Sequence, residues 1–387
     1  MRYEINKILS CKALFISLAV AILIGMLFSY NAYVKGKTVN SKYEQCAGAY
    51  SEENYLILQQ QLEQLQKAYD KSQDEELLAE LFEYLDLFED ADACRNIIEY
   101  REKVASDSNE LAKISSGYYK KLNEKINKMY SKTPELTIGK SNVLKGISDV
   151  FCVSEIVDIA FIIVLILFSA FLFLNEHKCN TFIMVKSSVK GGSVTYWNKI
   201  AAAFLFTVMV SVIQTLSMTL PTLLIGGTEQ WKCVFLLDEL FIHSPYILNV
   251  SEMVIVITAL RTIGYLVLMS CFLCVSLLFN KNILPIAINT FIGLGGFAAN
   301  YVLSGKYFAI SGGVIREAAG YTLFRKYTAF PLISEGINYL QEYEPINMLG
   351  YPVSIVNIAI LANVMVVVLL AITGGFIYDI NFRNRGA

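Results

Sequence analysis

The sequence predicts an all-α integral membrane protein: six transmembrane helices, with a helical extracytoplasmic domain between spans one and two. Three observations predict it. Six separated apolar runs, Ala13–Tyr33, Ile156–Leu174, Ile200–Ile225, Val254–Phe279, Ile283–Leu303 and Ile355–Tyr378, reach the roughly 20 residues a helix needs to cross hydrocarbon. The mean hydropathy of +0.48 and the 55% hydrophobic content lie outside the range of ordinary soluble domains. The first two runs are separated by a charged insert, residues 34–152, which holds 16 Lys/Arg against 21 Asp/Glu. The chain therefore divides into residues 1–33, the insert 34–152 and a five-span domain over 153–387.

The opening MRYEINKILSCK places Tyr3, Ile5, Ile8 and Leu9 on one helical face. This suits either a short amphipathic helix on the inner leaflet or the basic flank of any first span. The run Ala13–Tyr33 is longer than a signal-peptide core, and IGMLFSYNAYVKG lacks an A-x-A-like cleavage site, so it reads as a retained anchor.

Within the insert, three stretches carry apolar residues at helical spacing: Tyr55, Leu58, Leu62, Leu65 and Tyr69; then Leu77, Leu78, Leu81, Phe82, Leu85 and Phe88; then Ile97 through Ile126. Spacings of three and four build one apolar face per helix. The expectation is a helical hairpin or three-helix bundle, with turns at the polar stretches DKSQDEE and EDADA. Its role is structural, partner-docking or substrate-shaping. Gly139-Lys140-Ser141 imitates the tail of a phosphate loop, but the upstream glycine position holds Pro134 and no apolar strand precedes it.

Charge sets the expected orientation. If all six runs cross, one side collects residues 1–12, 175–199, Lys281 and the tail, with ten cations against three anions. The other side collects the insert, net −5, and loops 226–253 and 304–353. The positive-inside rule, resting on the short loops, puts both termini in the cytoplasm and residues 34–152 outside a cell membrane. No nucleic-acid partner is expected. The net charge of −2 does not decide this, because its distribution matters more than its sum.

The inner loop between spans two and three reads FLNEHKCNTFIMVKSSVKGGSVTYWNKI. Glu176 ends the span. Phe182, Ile183, Met184 and Val185 form a short apolar patch flanked by Lys178, Lys186 and Lys190, and Gly191-Gly192 precede Tyr196, Trp197 and Lys199. A segment held so near the bilayer by two spans can pass a push from a cytoplasmic partner into both. In this pattern the chain resembles the type-2 permeases of ATP-binding-cassette (ABC) transporters. That family shows a glutamate after span two, a Gly-Thr-like stretch, a basic-plus-glycine turn and a lysine opening span three. Here these are Glu176, Asn180-Thr181, Lys190-Gly191-Gly192 and Lys199, with Asn180 departing from the usual glycine. The motif covers about 35 residues, and the order of elements extends the likeness over nearly the whole chain.

The resemblance implies an exporter permease subunit that pairs with a second subunit, in a homo- or heterodimer, and binds a separate cytoplasmic ABC ATPase. Glu176, Lys178, Thr181, Phe182, Met184, Val185, Lys186, Lys190, Gly191, Gly192 and Lys199 would form the ATPase-coupling segment. A lipid, peptide or antibiotic-like molecule would be the cargo. The alternative is a non-transporting membrane scaffold or accessory protein of the phage-infection type. An intramembrane enzyme is disfavoured: HExxH and GxSxG are absent, as are paired aspartates within spans. No cofactor is expected.

Ionisable groups at membrane depth mark either structure or a pathway. Asp158 lies near the start of span two, and Arg261 about two turns into span four. Pairing between them or outward snorkelling is one reading; a substrate or proton site is the other. Cys46, Cys94, Cys152 and Cys233 show no disulfide framework, and Cys271 and Cys274 read as packing residues rather than metal ligands. The small residues Gly293, Gly295, Gly296, Ala298 and Ala299 of span five suit close packing, a dimer seam or a hinge. The stretch from Trp231 to Leu248 suits the outer interface. Loop 304–353 suggests short external or re-entrant helices, or an ordinary loop.

Overall fold

The computed structural model describes residues 12–36, 48–138, 142–152, 154–178, 191–226, 229–279, 283–304, 309–311, 314–316 and 327–384. The chain is an all-α membrane protein. Among the described residues, six helices are long and apolar enough to cross a membrane: α1 (Lys12–Gly36), α6 (Glu155–Lys178), α7 (Gly191–Gly226), α8 (Val250–Leu278), α9 (Ile283–Ser304) and α11 (Ile355–Asn384). The polar domain between the first two consists of α2 (Glu52–Ser72), α3 (Glu75–Ile114) and α4 (Gly117–Tyr130), followed by α5 (Asn142–Cys152).

Local chemistry sets these boundaries. Ser51 caps α2 by accepting from the Asn54 amide at 3.1 Å, and Asp74 caps α3 through the Glu76 amide at 3.1 Å. Between them Gln73 takes a left-handed conformation at φ 51° and stops α2. The DKSQDEE stretch thus turns the chain as expected. EDADA does not: it lies inside α3, where Asp90 and Ala91 are buried, and its alanines are strong helix formers. The break falls instead at Ser115-Ser116, ahead of Gly117 at φ 59°. Both serines have extended backbone there, and serine readily leaves helix geometry at such ends. The second stretch and the first part of the third therefore form one helix of 40 residues, about 60 Å long at 1.5 Å per residue.

The insert is closed at its neck. β1 (Gly48–Ala49) pairs antiparallel with β2 (Thr137–Ile138), and the Tyr50 amide donates to Leu136 O at 2.9 Å. Leu87, Ala91, Cys94, Ile97, Arg101, Ser108 and Ala112 are buried along α3. α3 packs on α2 and α4 and meets the short segment Phe235–Leu237.

In the bundle, α6, α7 and α8 are the most enclosed helices, while α1, α9 and α11 turn most of their surface outward. α11 packs on α8 and α7, α1 on α7, α6 and α5, and α9 on α6 and α8. Outward-facing Ile16, Leu23, Leu27, Phe291, Leu361, Leu369 and Phe376 are exposed; so much apolar surface is compatible with lipid and not with water. α8 opens on a full capping box between Asn249 and Glu252. Pro285 sits in the first turn of α9, where a missing amide costs nothing.

Two connecting segments bear on the sequence expectation: the first departs from it, and the second contains a short helix as expected together with hairpins that were not. Residues 229–248 form short 3₁₀ turns in which Phe235, Leu236, Leu237 and Phe241 are fully buried. The polar domain covers them, with α3 over Phe235–Leu237, so protein rather than lipid removes them from water. The region 304–353 contains, among its described residues, the hairpin β3 (Ala309–Ser311)–β4 (Val314–Arg316), the short helix α10 (Phe330–Ser334) and the hairpin β5 (Pro345–Met348)–β6 (Tyr351–Ser354). α10 is tucked against α8 and α9.

Small residues make that insertion possible. A Cβ on Gly264 would lie 2.6 Å from Ile333 Cγ1 and 2.8 Å from the Ala329 carbonyl, and one on Gly296 would overlap the Phe330 ring. Gly293 meets Ile162 and Phe272, whereas Gly295 faces only its own helix neighbour Phe291. Gly293 and Gly296 of the small-residue patch therefore serve packing within the chain. The Ala329 carbonyl is backbone and cannot rotate away, so Gly264→Ala is expected to cost about 1–3 kcal/mol and to lower the melting temperature of the detergent-solubilised protein, while Gly295→Ala leaves it nearly unchanged.

Candidate functional site

Within the bundle the sequence places few charges, and the structure gathers two of them. Asp158, in the first turn of α6, and Arg261, eleven residues into α8 and so about 16 Å along it, are 0% and 1% exposed. Arg261 Nη2 stands 3.5 Å from Asp158 Oδ1. Further partners come from α7, from α10 and from the residues just before α6. Gln214 of α7 donates to Asp158 Oδ1 at 2.6 Å, and Ser154 donates to Oδ2 at 2.8 Å. Tyr265 donates to the Gln214 side-chain oxygen at 2.7 Å, so the amide orientation is the one that serves both neighbours. Arg261 Nε donates to the Ile333 carbonyl of α10 at 3.2 Å, Nη1 lies 3.6 Å from Met218 Sδ, and Nη2 lies 3.5 Å from Ser154 Oγ. The guanidinium also sits 5.3 Å above the Phe151 ring.

Burying either charge alone is prohibitive, and the pair is tolerated because it is hydrogen-bonded on all sides. One cluster thereby fastens α6, α7, α8 and α10 together. Hydroxyls extend the polar seam between α7 and α8: Thr258 reaches Thr215 at 3.0 Å, and Thr262 reaches Ser211 at 2.8 Å. On the other side of α10, Asn300 of α9 donates to Ser334 Oγ at 3.1 Å and Glu335 Oε1 at 2.8 Å. Such contacts between helices in lipid are each worth about 0.6–2 kcal/mol. The cluster is thus a structural clamp.

A second buried cation was not foreseen. Arg101 of α3, 2% exposed, donates to three carbonyls: Nε to Lys132 at 3.1 Å, Nη1 to Ser244 at 3.0 Å and Nη2 to Met129 at 2.7 Å. Its guanidinium lies 5.1 Å above Tyr130, whose hydroxyl donates to His243 O at 2.7 Å. Ser244 in turn donates to Leu340 O at 2.6 Å. Burial lowers the Arg101 pKa from its ordinary value and raises that of the Tyr130 phenol. Arginine stays charged in proteins, and the raised phenol keeps Tyr130 protonated as a donor. In sequence Arg101 is one charge among many, and its carbonyl partners lie at the end of α4, just after it and in the distant segment at Ser244; the apolar spacing around it carries no sign of them.

α4 adds a third contact between the polar domain and the bundle. Lys125 donates to Pro352 O at 3.1 Å and faces the Tyr343 ring, while Lys121 stands 3.4 Å over the Tyr351 ring. β6 runs directly into α11, so the polar domain is joined to the last span through one hairpin.

At the opposite end of the bundle, Glu176 and Lys178 fall in the last turn of α6 by backbone, and Gly191 and Gly192 open α7. Thr181, Phe182, Met184, Val185, Lys186 and Lys190 lie outside the described residues, as do the N-terminal amphipathic segment and Gly139-Lys140-Ser141. α7 begins nine residues before the apolar run that announced it. Its added turns bury Lys199, whose ammonium donates to Leu172 O of α6 at 2.9 Å; this lysine points into the fold. Tyr196 is also buried, donating to Ala371 O of α11 at 2.5 Å with its ring against Gly374 and Gly375. On the side away from the polar domain α6, α7 and α11 are thereby joined.

Among the described residues no group of His, Cys, Asp and Glu is arranged to hold a metal ion, and Cys94, Cys152, Cys233, Cys271 and Cys274 form no disulfide. Cys274 donates to Leu370 O at 3.2 Å, a packing contact between α8 and α11.

Arg101→Leu strands three carbonyls and is expected to loosen the polar domain from its seat without unfolding α3. Hydrogen exchange should rise about tenfold or more over residues 129–132 and 243–244, as loss of about 1–3 kcal/mol implies, and stay unchanged in α8. No protein-family model matches this chain, and no curated protein or solved structure matches it.

Proposed function

We propose that this chain is the membrane-spanning subunit of an ABC exporter, moved by ATP hydrolysis in a separate cytoplasmic subunit. The observation that carries the reading is the joined inner end of the bundle. Lys199 ties α7 to α6, and Tyr196 ties α7 to α11, so force applied to the link 179–190 enters three spans together. The link itself combines the apolar patch Phe182–Val185 with Lys186 and Lys190, the chemistry that suits a groove on a soluble partner. The excess of cations on this side supports a cytoplasmic position for the link and both termini, and an extracytoplasmic one for residues 34–152 of a cell-membrane protein.

In this mechanism closure of the ATPase subunits pushes the link, and α6, α7 and α11 tilt as a unit. The clamp at Asp158 and Arg261 holds α6, α7 and α8 together at the far end of the bundle and serves as the pivot. The apolar outward faces of α1, α9 and α11 favour a lipid, peptide or antibiotic-like cargo that travels along a greasy path between subunits.

The test is co-purification in mild detergent. The wild-type chain is expected to retain an ATPase with a phosphate-loop sequence, and Met184→Lys with Val185→Lys is expected to release it while the membrane chain stays folded. Equal retention by the variant, or the absence of any such ATPase from the wild type, would remove the motor from the account.

A further inference from the structure

Two thiols that lie far apart in the chain meet one residue at the neck of the polar domain. Cys94 of α3 is fully buried, and its Sγ donates to the Thr137 carbonyl of β2 at 3.7 Å. Cys233, half-buried just before the turn Phe235–Leu237, has its thiol against the Thr137 side chain. Thr137 is thus touched by one sulfur from the polar domain and one from the segment joining α7 to α8.

The backbone explains why the second sulfur points this way. Val234 is extended at φ −73° and ψ 130° and is bridged to Asn249. The Cys233 carbonyl accepts from the Val250 amide at 3.0 Å, and the Phe235 amide donates to Leu248 O at 3.1 Å. Alternate residues of an extended strand point to one side, so Cys233 shares its side with Phe235. Phe235 is fully buried in the same apolar cluster as Cys94 and Leu136, and the turn it opens packs on α3. Thr137 is itself fixed by pairing with Ala49. Cys152, by contrast, has Ser148 and Asp238 for neighbours.

We propose that Cys94 and Cys233 are a redox pair that closes to a disulfide across the neck, stapling α3 to the segment between α7 and α8. Each side chain has a single torsion to turn from Thr137 toward the other. The oxidant is a small external disulfide such as glutathione disulfide. Cys233, the more exposed thiol, attacks first as its thiolate: a bond forms to one glutathione sulfur, the glutathione S–S bond breaks and one glutathione thiolate leaves. The Cys94 thiolate then attacks Sγ of Cys233, and the second glutathione leaves. The two protons lost by the cysteines end on the two released thiolates, so two protein thiols and one glutathione disulfide become one protein disulfide and two glutathione thiols. Burial raises the Cys233 thiol pKa, which makes the first attack slow at neutral pH.

The staple would join the same two elements that Arg101 joins through Ser244, two turns further along α3. In a cell its formation rests on the extracytoplasmic placement of residues 34–152. The pairing itself does not, and neither depends on the motor.

The test uses the purified full chain in mild detergent, incubated with glutathione disulfide, its remaining thiols then blocked with iodoacetamide in denaturant and its peptides mapped without reduction. A peptide linking Cys94 to Cys233 is expected, and dithiothreitol should abolish it. In Cys94→Ser one glutathione should stay on Cys233, whereas in Cys233→Ser the buried Cys94 should carry about tenfold less or lower. Both thiols recovered alkylated from the wild type, a glutathione left on Cys233, or a link from either cysteine to Cys46 or Cys152 would each overturn the pairing. The same mapping on chain taken from intact cells, with no added oxidant, reads the compartment. A link that forms in the purified protein but is missing there would count against the extracytoplasmic placement and leave the pairing standing.

Discussion

A guanidinium cannot be buried in a bundle of apolar helices unless its charge is balanced and hydrogen-bonded. Arg261 meets this requirement by drawing in Asp158 from α6, the Ile333 carbonyl from α10 and, through Asp158, the Gln214–Tyr265 pair from α7 and α8. Apolar contacts between helices in lipid have little directional preference. The polar cluster does: it fixes which face of α6 meets α7 and α8, and how deep α10 enters. Gly264 and Gly296 follow from the same demand, since the chain carrying the Ile333 carbonyl can reach Arg261 only if the flanking helices present no side chain there.

The polar domain repeats the device at the membrane boundary. Arg101 gathers carbonyls from α4, from the turn after it and from the outer loop at Ser244, and Ser244 passes the connection to Leu340. That loop is the segment that buries Phe235 and Phe241 beneath α3. The insert is thus seated on the bundle and joined to α11 through the β5–β6 hairpin.

Much of this was legible in the sequence because bilayer physics writes it there. The six apolar runs mark six helices, and an aspartate and an arginine isolated in such runs point to one another. The helices of the insert are visible in the spacing of Tyr55, Leu58 and Leu62. The breaks were less legible. EDADA is polar in composition but helical in propensity, whereas Ser115-Ser116-Gly117 is a weaker compositional signal with stronger local chemistry. The start of α7 was hidden because Lys199, a charge, marks the apparent edge of an apolar run; its ammonium is satisfied by a carbonyl of α6, which sequence cannot display. Arg101 was hidden for the same reason. The coupling residues Phe182 to Lys190 rest on resemblance and composition alone.

The most direct measurement of this account is a double-mutant cycle on the central pair, using Asp158→Asn and Arg261→Met and following thermal unfolding in detergent. Each single change should cost about 3–5 kcal/mol by leaving its partner buried and unbalanced. The double change should cost clearly less than their sum, with a coupling of about 1–3 kcal/mol. Strict additivity, or single changes that leave the melting temperature in place, would show that the two groups do not hold the helices together.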